Sequence, residues 1–141
     1  MNTARAAGGF ATAAAQTAAL AFGGDNRNPP PTNRDAAETE SYTGTNWTEV
    51  NDLNTARRYL AGAGLISSAL VFGGEVSPPT GKTEEWNGAS WIEVSDLNTA
   101  RSALAGDGNT TNALAFGGED PAGNLTESWN VPSNVVKTLT D

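Results

Sequence analysis

Cysteine and histidine are both absent from this chain of 141 residues. Without thiols there is no disulfide framework and no redox signal from which to read a compartment. Without imidazoles the commonest zinc ligands and the usual general base are gone, which leaves carboxylates, hydroxyls, tyrosine and lysine for any chemistry. Cations are scarce as well: 8 Lys and Arg stand against 16 Asp and Glu, for a formal charge of −8. That balance disfavours nucleic-acid phosphates and anionic membrane surfaces as partners. The acids are scattered through turns rather than gathered in one block, so the charge reads first as solubility. No apolar run approaches the roughly 18 residues of a membrane span. The Ala-rich stretch 11–21 lacks the basic flank of a signal peptide and lies in register with later repeats. The sequence shows neither a signal peptide nor a transmembrane segment, and the compartment stays unknown.

What is present is repetition. Asp96-Leu97-Asn98-Thr99-Ala100-Arg101, then Leu104-Ala105-Gly106, then Ala113-Leu114-Ala115-Phe116-Gly117-Gly118 forms one copy. Asp52 to Arg57, Leu60 to Gly62 and Ala69 to Gly74 form another, and Asn2-Thr3-Ala4-Arg5 with Leu20 to Gly24 opens the array. Phe22, Phe72 and Phe116 stand 50 and 44 residues apart, and Trp47 and Trp91 are separated by 44. Periods of about 40 to 50 residues suit units of four short antiparallel strands that bury their faces only against neighbours. The units are expected at about 1–51, 52–95 and 96–141, in a single domain.

Within a unit, 59–63 and 69–72 are predicted as inner strands. Leu70 and Phe72 fall on one face at period 2, Ala69 and Val71 on the other. Strands are further predicted at 83–86 and 91–94 with Asn87-Gly88 as a hairpin signal, and at 38–42 and 47–50 in the first unit. The third unit departs from the pattern: 126–130 is followed by Val131-Pro132-Ser133-Asn134, and 135–139 replaces the strand that Trp opens. Small residues near the inner strands have a packing reason where units converge on an axis.

An aromatic followed by a double glycine, an aromatic in the third strand and a Trp opening the fourth resemble the kelch repeat family, over nearly the whole chain. The near-identical repeats are similar to regular kelch-like arrays of bacteriophage and environmental origin, which implies a virion or extracellular setting. The resemblance implies an all-β fold of kelch-like β-propeller blades, three four-stranded antiparallel blades per chain. Rings in that family hold about five to seven blades, so a second chain is expected to complete this one to six, as a homodimer. That closure is expected to bring the region around Trp129 and 135–139 against residues 19–22 of another copy. Copper-carrying oxidases of the family use histidine and tyrosine ligands; with no histidine, that activity is not carried over and no cofactor is expected.

Glu40, Glu84, Glu85 and Glu127 resemble paired glycosidase carboxylates only until their periodicity is noticed. An acid that recurs in every unit is a frame residue sooner than a single active-site acid. Arg5, Arg57 and Arg101 recur likewise and are expected to bridge adjacent units through carboxylates or loop carbonyls. Trp47, Trp91, Phe22, Phe72 and Phe116 complete the expected frame, with Trp86 and Trp129 also read as packing residues. The connections 25–37, 75–82 and 119–124 differ between units and would share one face, with Asp25, Asn26, Arg27, Asn28, Arg34, Glu75, Lys82, Glu119, Asp120 and Asn124 as candidate binding residues. Asp25 to Asn28 and Glu119-Asp120 could offer oxygens to calcium, but their spacing matches no EF-hand loop, and no metal is expected. The leading expectation is a non-catalytic binding or structural module that takes a glycan or protein ligand and pairs with itself. The alternatives are a carbohydrate-active enzyme using Asp and Glu, and a natural or engineered fragment with no separate activity.

Overall fold

The structure is a computed structural model and describes residues 1–12, 17–26, 35–119, 123–130 and 135–139. Among these residues every regular element is a β-strand, and no helix is long and apolar enough to cross a membrane. Twelve strands follow in order: β1 Gly9–Thr12, β2 Ala19–Asp25, β3 Asp35–Tyr42, β4 Trp47–Val50, β5 Ala61–Leu65, β6 Ser68–Phe72, β7 Thr83–Trp86, β8 Trp91–Val94, β9 Leu104–Gly108, β10 Asn112–Gly117, β11 Thr126–Asn130 and β12 Val135–Leu139. They form three four-stranded sheets, β1 to β4, β5 to β8 and β9 to β12, each with its strands side by side in chain order and every pairing antiparallel. The first strands of the sheets are neighbours, β1 beside β5 and β5 beside β9.

Alternation along each second strand divides the core in two. Leu20 and Phe22 of sheet one meet Ala69, Val71, Trp86 and Trp91 of sheet two, with Leu53 and Leu60 from the connecting segment. Leu70 and Phe72 of sheet two meet Ala113, Ala115 and Trp129 of sheet three, with Leu97 and Leu104. Sheets one and two therefore each send their Leu/Phe face into the small-residue face of the next. A strand packed on both sides needs this division, since side chains point alternately to opposite faces.

Two glycine positions show why the repeat spells Ala-Gly and Phe-Gly-Gly. A Cβ built on Gly62 would lie 2.4 Å from the Phe22 ring, and one on Gly106 would lie 2.3 Å from the Phe72 ring. The aromatic of one sheet thus lies flush on the first strand of the next. Gly73 has φ +64°, and a Cβ there would come within 2.7 Å of the Arg101 carbonyl, where the next repeat crosses. Gly62→Ala and Gly106→Ala are each expected to cost about 1–3 kcal/mol through overpacking, measured by urea unfolding. A loss well below 1 kcal/mol at both would contradict the flush packing.

Several sequence-based boundaries move. The strand expected at 59–63 begins instead at Ala61, because Tyr59 adopts φ 54° and donates its N–H to the Ala7 carbonyl at 2.8 Å. The connection expected at 25–37 is shorter at both ends: beyond an irregularity between Phe22 and Gly24, Gly24 pairs with Ala36 and Asp25 with Asp35. The hairpin between β7 and β8 has Asn87 at its first corner, with its Oδ1 accepting from the Ala89 and Ser90 amides, so Gly88 and Ala89 form the centre of the turn.

Candidate functional site

The Asn-Thr-Ala-Arg segment of each repeat closes around one glutamate of the same repeat. Glu84 accepts from the Asn54 amide at 2.7 Å, the Thr55 amide at 3.3 Å and Arg57 Nη2 at 3.0 Å. Glu127 accepts from Asn98 at 2.7 Å, Thr99 at 3.3 Å and Arg101 Nη2 at 3.1 Å. Glu40 accepts from Asn2 at 2.6 Å, Thr3 at 3.2 Å and Arg5 Nη2 at 2.8 Å. All three carboxylates are buried.

The second guanidinium nitrogen of each Arg reaches backbone carbonyls: Arg57 Nη1 donates to Gly73 and Lys82, Arg101 Nη1 to Gly117 and Leu125, and Arg5 Nη1 to Glu38. The backbone of the same segment belongs to the preceding sheet. Arg57 N–H donates to Ala36 and Arg57 C=O accepts from Gly24, while Asp52 Oδ1 accepts from the Thr39 amide. Arg101, Thr80, Gly74, Asp96 and Thr83 repeat this one sheet later. Arg57 and Arg101 thus tie two sheets together, backbone on one and guanidinium in the other.

Burial lowers the pKa of Arg57 from its ordinary value, against the opposing pull of Glu84, Asp96 and Glu93, and burial likewise lowers that of Arg101 against Glu127. Arg58 differs. Desolvation again acts downward, but Asp35 and Glu75 outweigh it and raise the value. Arg58 holds Asp35 of sheet one with one nitrogen and Glu75, in the connection between β6 and β7, with the other.

The loop residues expected on one binding face differ in burial and partners. Asp25 is a correction: it lies inside β2, only 3 % exposed, bridged to Ala6 through both backbone groups. Glu75 is half-buried, and its carboxylate accepts from Arg58 and the Ser77 hydroxyl. Lys82 is half-buried; its Nζ lies 3.3 Å from Thr55 Oγ1 and 3.7 Å from a Glu93 carboxylate oxygen. Glu119 and Asn124 are exposed, and Asn26 is half-buried. Arg27, Asn28, Arg34 and Asp120 lie outside the described residues.

Of the four tryptophans, Trp86, Trp91 and Trp129 are buried and Trp47 is half-buried against Tyr42, ring centroids 5.1 Å apart. Phe22 and Phe72 are buried, whereas Phe116 is 40 % exposed. Glu85 is half-buried. Among the described residues no group of three Asp or Glu is placed to hold a metal ion.

A hollow of about 360 Å³ opens on sheet three beside Asp107, Asn112, Leu114 and Asn130. Among the described residues that line it, Asp107 is the one carboxylate. Comparison with known proteins finds no family model that matches the chain and no similar curated sequence.

Reading the sequence paired the recurring Arg with carboxylates but missed that the Asn and Thr amides share the same acceptor. A signal existed. Arg and Glu recur together, separated by 35, 27 and 26 residues as the intervening connection changes length. Arg58 carried no such signal, because Ala6 and Ser102 stand in its place in the other repeats.

Proposed function

We propose that the chain is a non-catalytic binding or structural module made of kelch-like β-propeller blades, with a second copy completing a six-bladed ring. One observation carries this reading: three sheets of identical topology stand in series with their Gly- and Ala-rich first strands side by side, joined by one repeated interface. Meanders so joined are the units of a propeller. The recurring acids support a non-catalytic role, because each is already engaged by two amides and a guanidinium.

The ligand in this reading is a glycan or a protein, met by the connections that differ between repeats. Residues 26–34, 75–82 and 119–124 are those connections. Glycan and protein arrays are expected to return a binder whose signal disappears when the three connections are exchanged for one common sequence. A binder unaffected by that exchange would move the site elsewhere. Turnover of any member of a broad glycoside panel would replace the reading with an enzymatic one.

A further inference from the structure

We infer that sheet three and the first repeat carry the two halves of the interface built twice inside the chain, and that a second copy docks head-to-tail across them. This rests on the assembly reading above and specifies its seam. The donor half is sheet three. Leu114 and Phe116 occupy the places of Leu20 and Phe22, which are fully buried by sheet two, and of Leu70 and Phe72, buried by sheet three; yet Leu114 is 42 % and Phe116 40 % exposed. The receiving half is the first repeat. Met1 stands where Leu53 and Leu97 plug the inner interfaces, and it is 46 % exposed against 4 % and 8 % for those leucines.

Trp47 stands at the place of Trp91, whose indole packs edge-on against Phe22 at 5.0 Å and donates to Thr39 Oγ1 at 3.0 Å. Thr126 is the counterpart of Thr39 on sheet three. An indole from a second copy therefore has both an aromatic and a hydroxyl waiting for it.

The backbone repeats the message. Ala103 N–H donates to Tyr59 C=O and Tyr59 N–H donates to Ala7 C=O, both at 2.8 Å, a ladder that climbs one rung per repeat. All three residues have φ of 53–54°, so they present the same groups in the same direction. Among the described residues Ala7 N–H and Ala103 C=O have no backbone partner. They are the two ends of the ladder, a donor and an acceptor, and a second copy joins them. Such a contact uses different patches on its two sides, and a two-fold axis makes it twice and leaves neither patch open.

The seam differs from the inner interfaces at one place. Phe10 replaces the glycine on which the preceding aromatic lies, and it is 52 % exposed. Gly8 replaces Leu60 and Leu104, whose side chains press on Gly23 and Gly73. Bulk added at position 10 thus comes with a side chain removed at position 8 on the same side of the strand, and in the proposed seam Phe116 takes the place of that side chain.

Phe10→Asp and Phe116→Asp each place a charge on one half only. Each variant alone is expected to be a single chain at concentrations where the parent associates, with the dissociation constant raised at least tenfold, while far-UV circular dichroism stays that of the parent. An equimolar mixture is expected to regain association, because the intact half of each variant fits the intact half of the other. No recovery on mixing, or two variants that associate like the parent, would overturn the seam and leave self-association through another surface. A parent that stays a single chain would overturn the assembly reading as well. Should a variant fail to fold, Ala7→Cys with Ala103→Cys in this cysteine-free chain decides the matter: a disulfide-linked dimer is expected under oxidation, and only reduced chains would refute the ladder.

Discussion

Arg57→Met is expected to lower the free energy of unfolding by about 3–5 kcal/mol, the usual consequence of leaving one member of a buried ion pair without its partner. Arg57 and Glu84 are 0 % and 1 % exposed in their side chains, so water cannot enter to solvate the orphaned carboxylate. The loss extends further than one contact, since the carbonyls of Gly73 and Lys82 lose their donor and sheet one loses one of its ties to sheet two. Arg101→Met repeats the experiment one sheet later against Glu127.

The double variant Arg57→Met with Glu84→Gln is expected to recover part of the deficit, because the remaining side chain is neutral. Guanidinium chloride unfolding of the cycle measures both. A single-variant loss below about 1 kcal/mol would mean that the pair sits in solvent and behaves as a surface bridge.

The pH dependence follows from the lowered pKa of Arg57 and Arg101. A base whose folded value lies below its ordinary one is charged at a cost to the folded state at every lower pH. In the alkaline window between the folded and the ordinary value the unfolded chain binds more protons, so these two groups make stability rise with pH there. Across neutral pH they contribute no slope.

Trp91→Ala is expected to be comparably damaging, about 3–5 kcal/mol for removal of a buried indole. Trp91 is 5 % exposed, edge-on to Phe22 at 5.0 Å with an interplanar angle of 72°, and tilted against Trp86 at 5.4 Å. Its Nε1–H to Thr39 Oγ1 bond crosses from sheet two to sheet one. Trp91→Phe keeps most of the volume and orphans the threonine hydroxyl, so a smaller loss is expected. Urea unfolding of both variants, with Thr39→Val as the partner, separates packing from hydrogen bonding. Equal losses for Ala and Phe would show that the indole ring is not packed as described.

Much of the frame was legible in the sequence because it is spelled by side-chain periodicity. Leu70 and Phe72 against Ala69 and Val71 gave opposite faces, and the structure sends those pairs into different cores. The third and fourth strands of sheet two, 83–86 and 91–94, were read at their observed bounds. The illegible parts are those governed by backbone groups. Ala7, Tyr59 and Ala103 share a left-handed turn that no glycine announces, and their ladder shifts β5 two residues beyond its expected start. Asp25 looked like the start of a loop because a charged residue follows a double glycine, yet the irregularity after Phe22 lets pairing resume to Asp35.

The closing contact was expected around Trp129 and 135–139 on one copy and residues 19–22 on another. Of these, Trp129 is 5 % exposed between sheets two and three, and Leu20 and Phe22 are fully buried against sheet two, whereas Ala19 and Ala21 are the counterparts of Ala69 and Val71, which receive the preceding Leu/Phe face. Residues that recur in every repeat are used by the inner interfaces. What an open end offers is the copy that has no neighbour, here Leu114 and Phe116. The side chains of 135–139, also assigned there, lie outside the described residues.

The central claim is that one interface, repeated between consecutive sheets, also joins separate copies of the chain. Multi-angle light scattering at micromolar protein measures it directly. The expected result is a single species of twice the 14.5 kDa chain mass; a well-folded species at 14.5 kDa, unchanged up to the highest concentration reached, would contradict it.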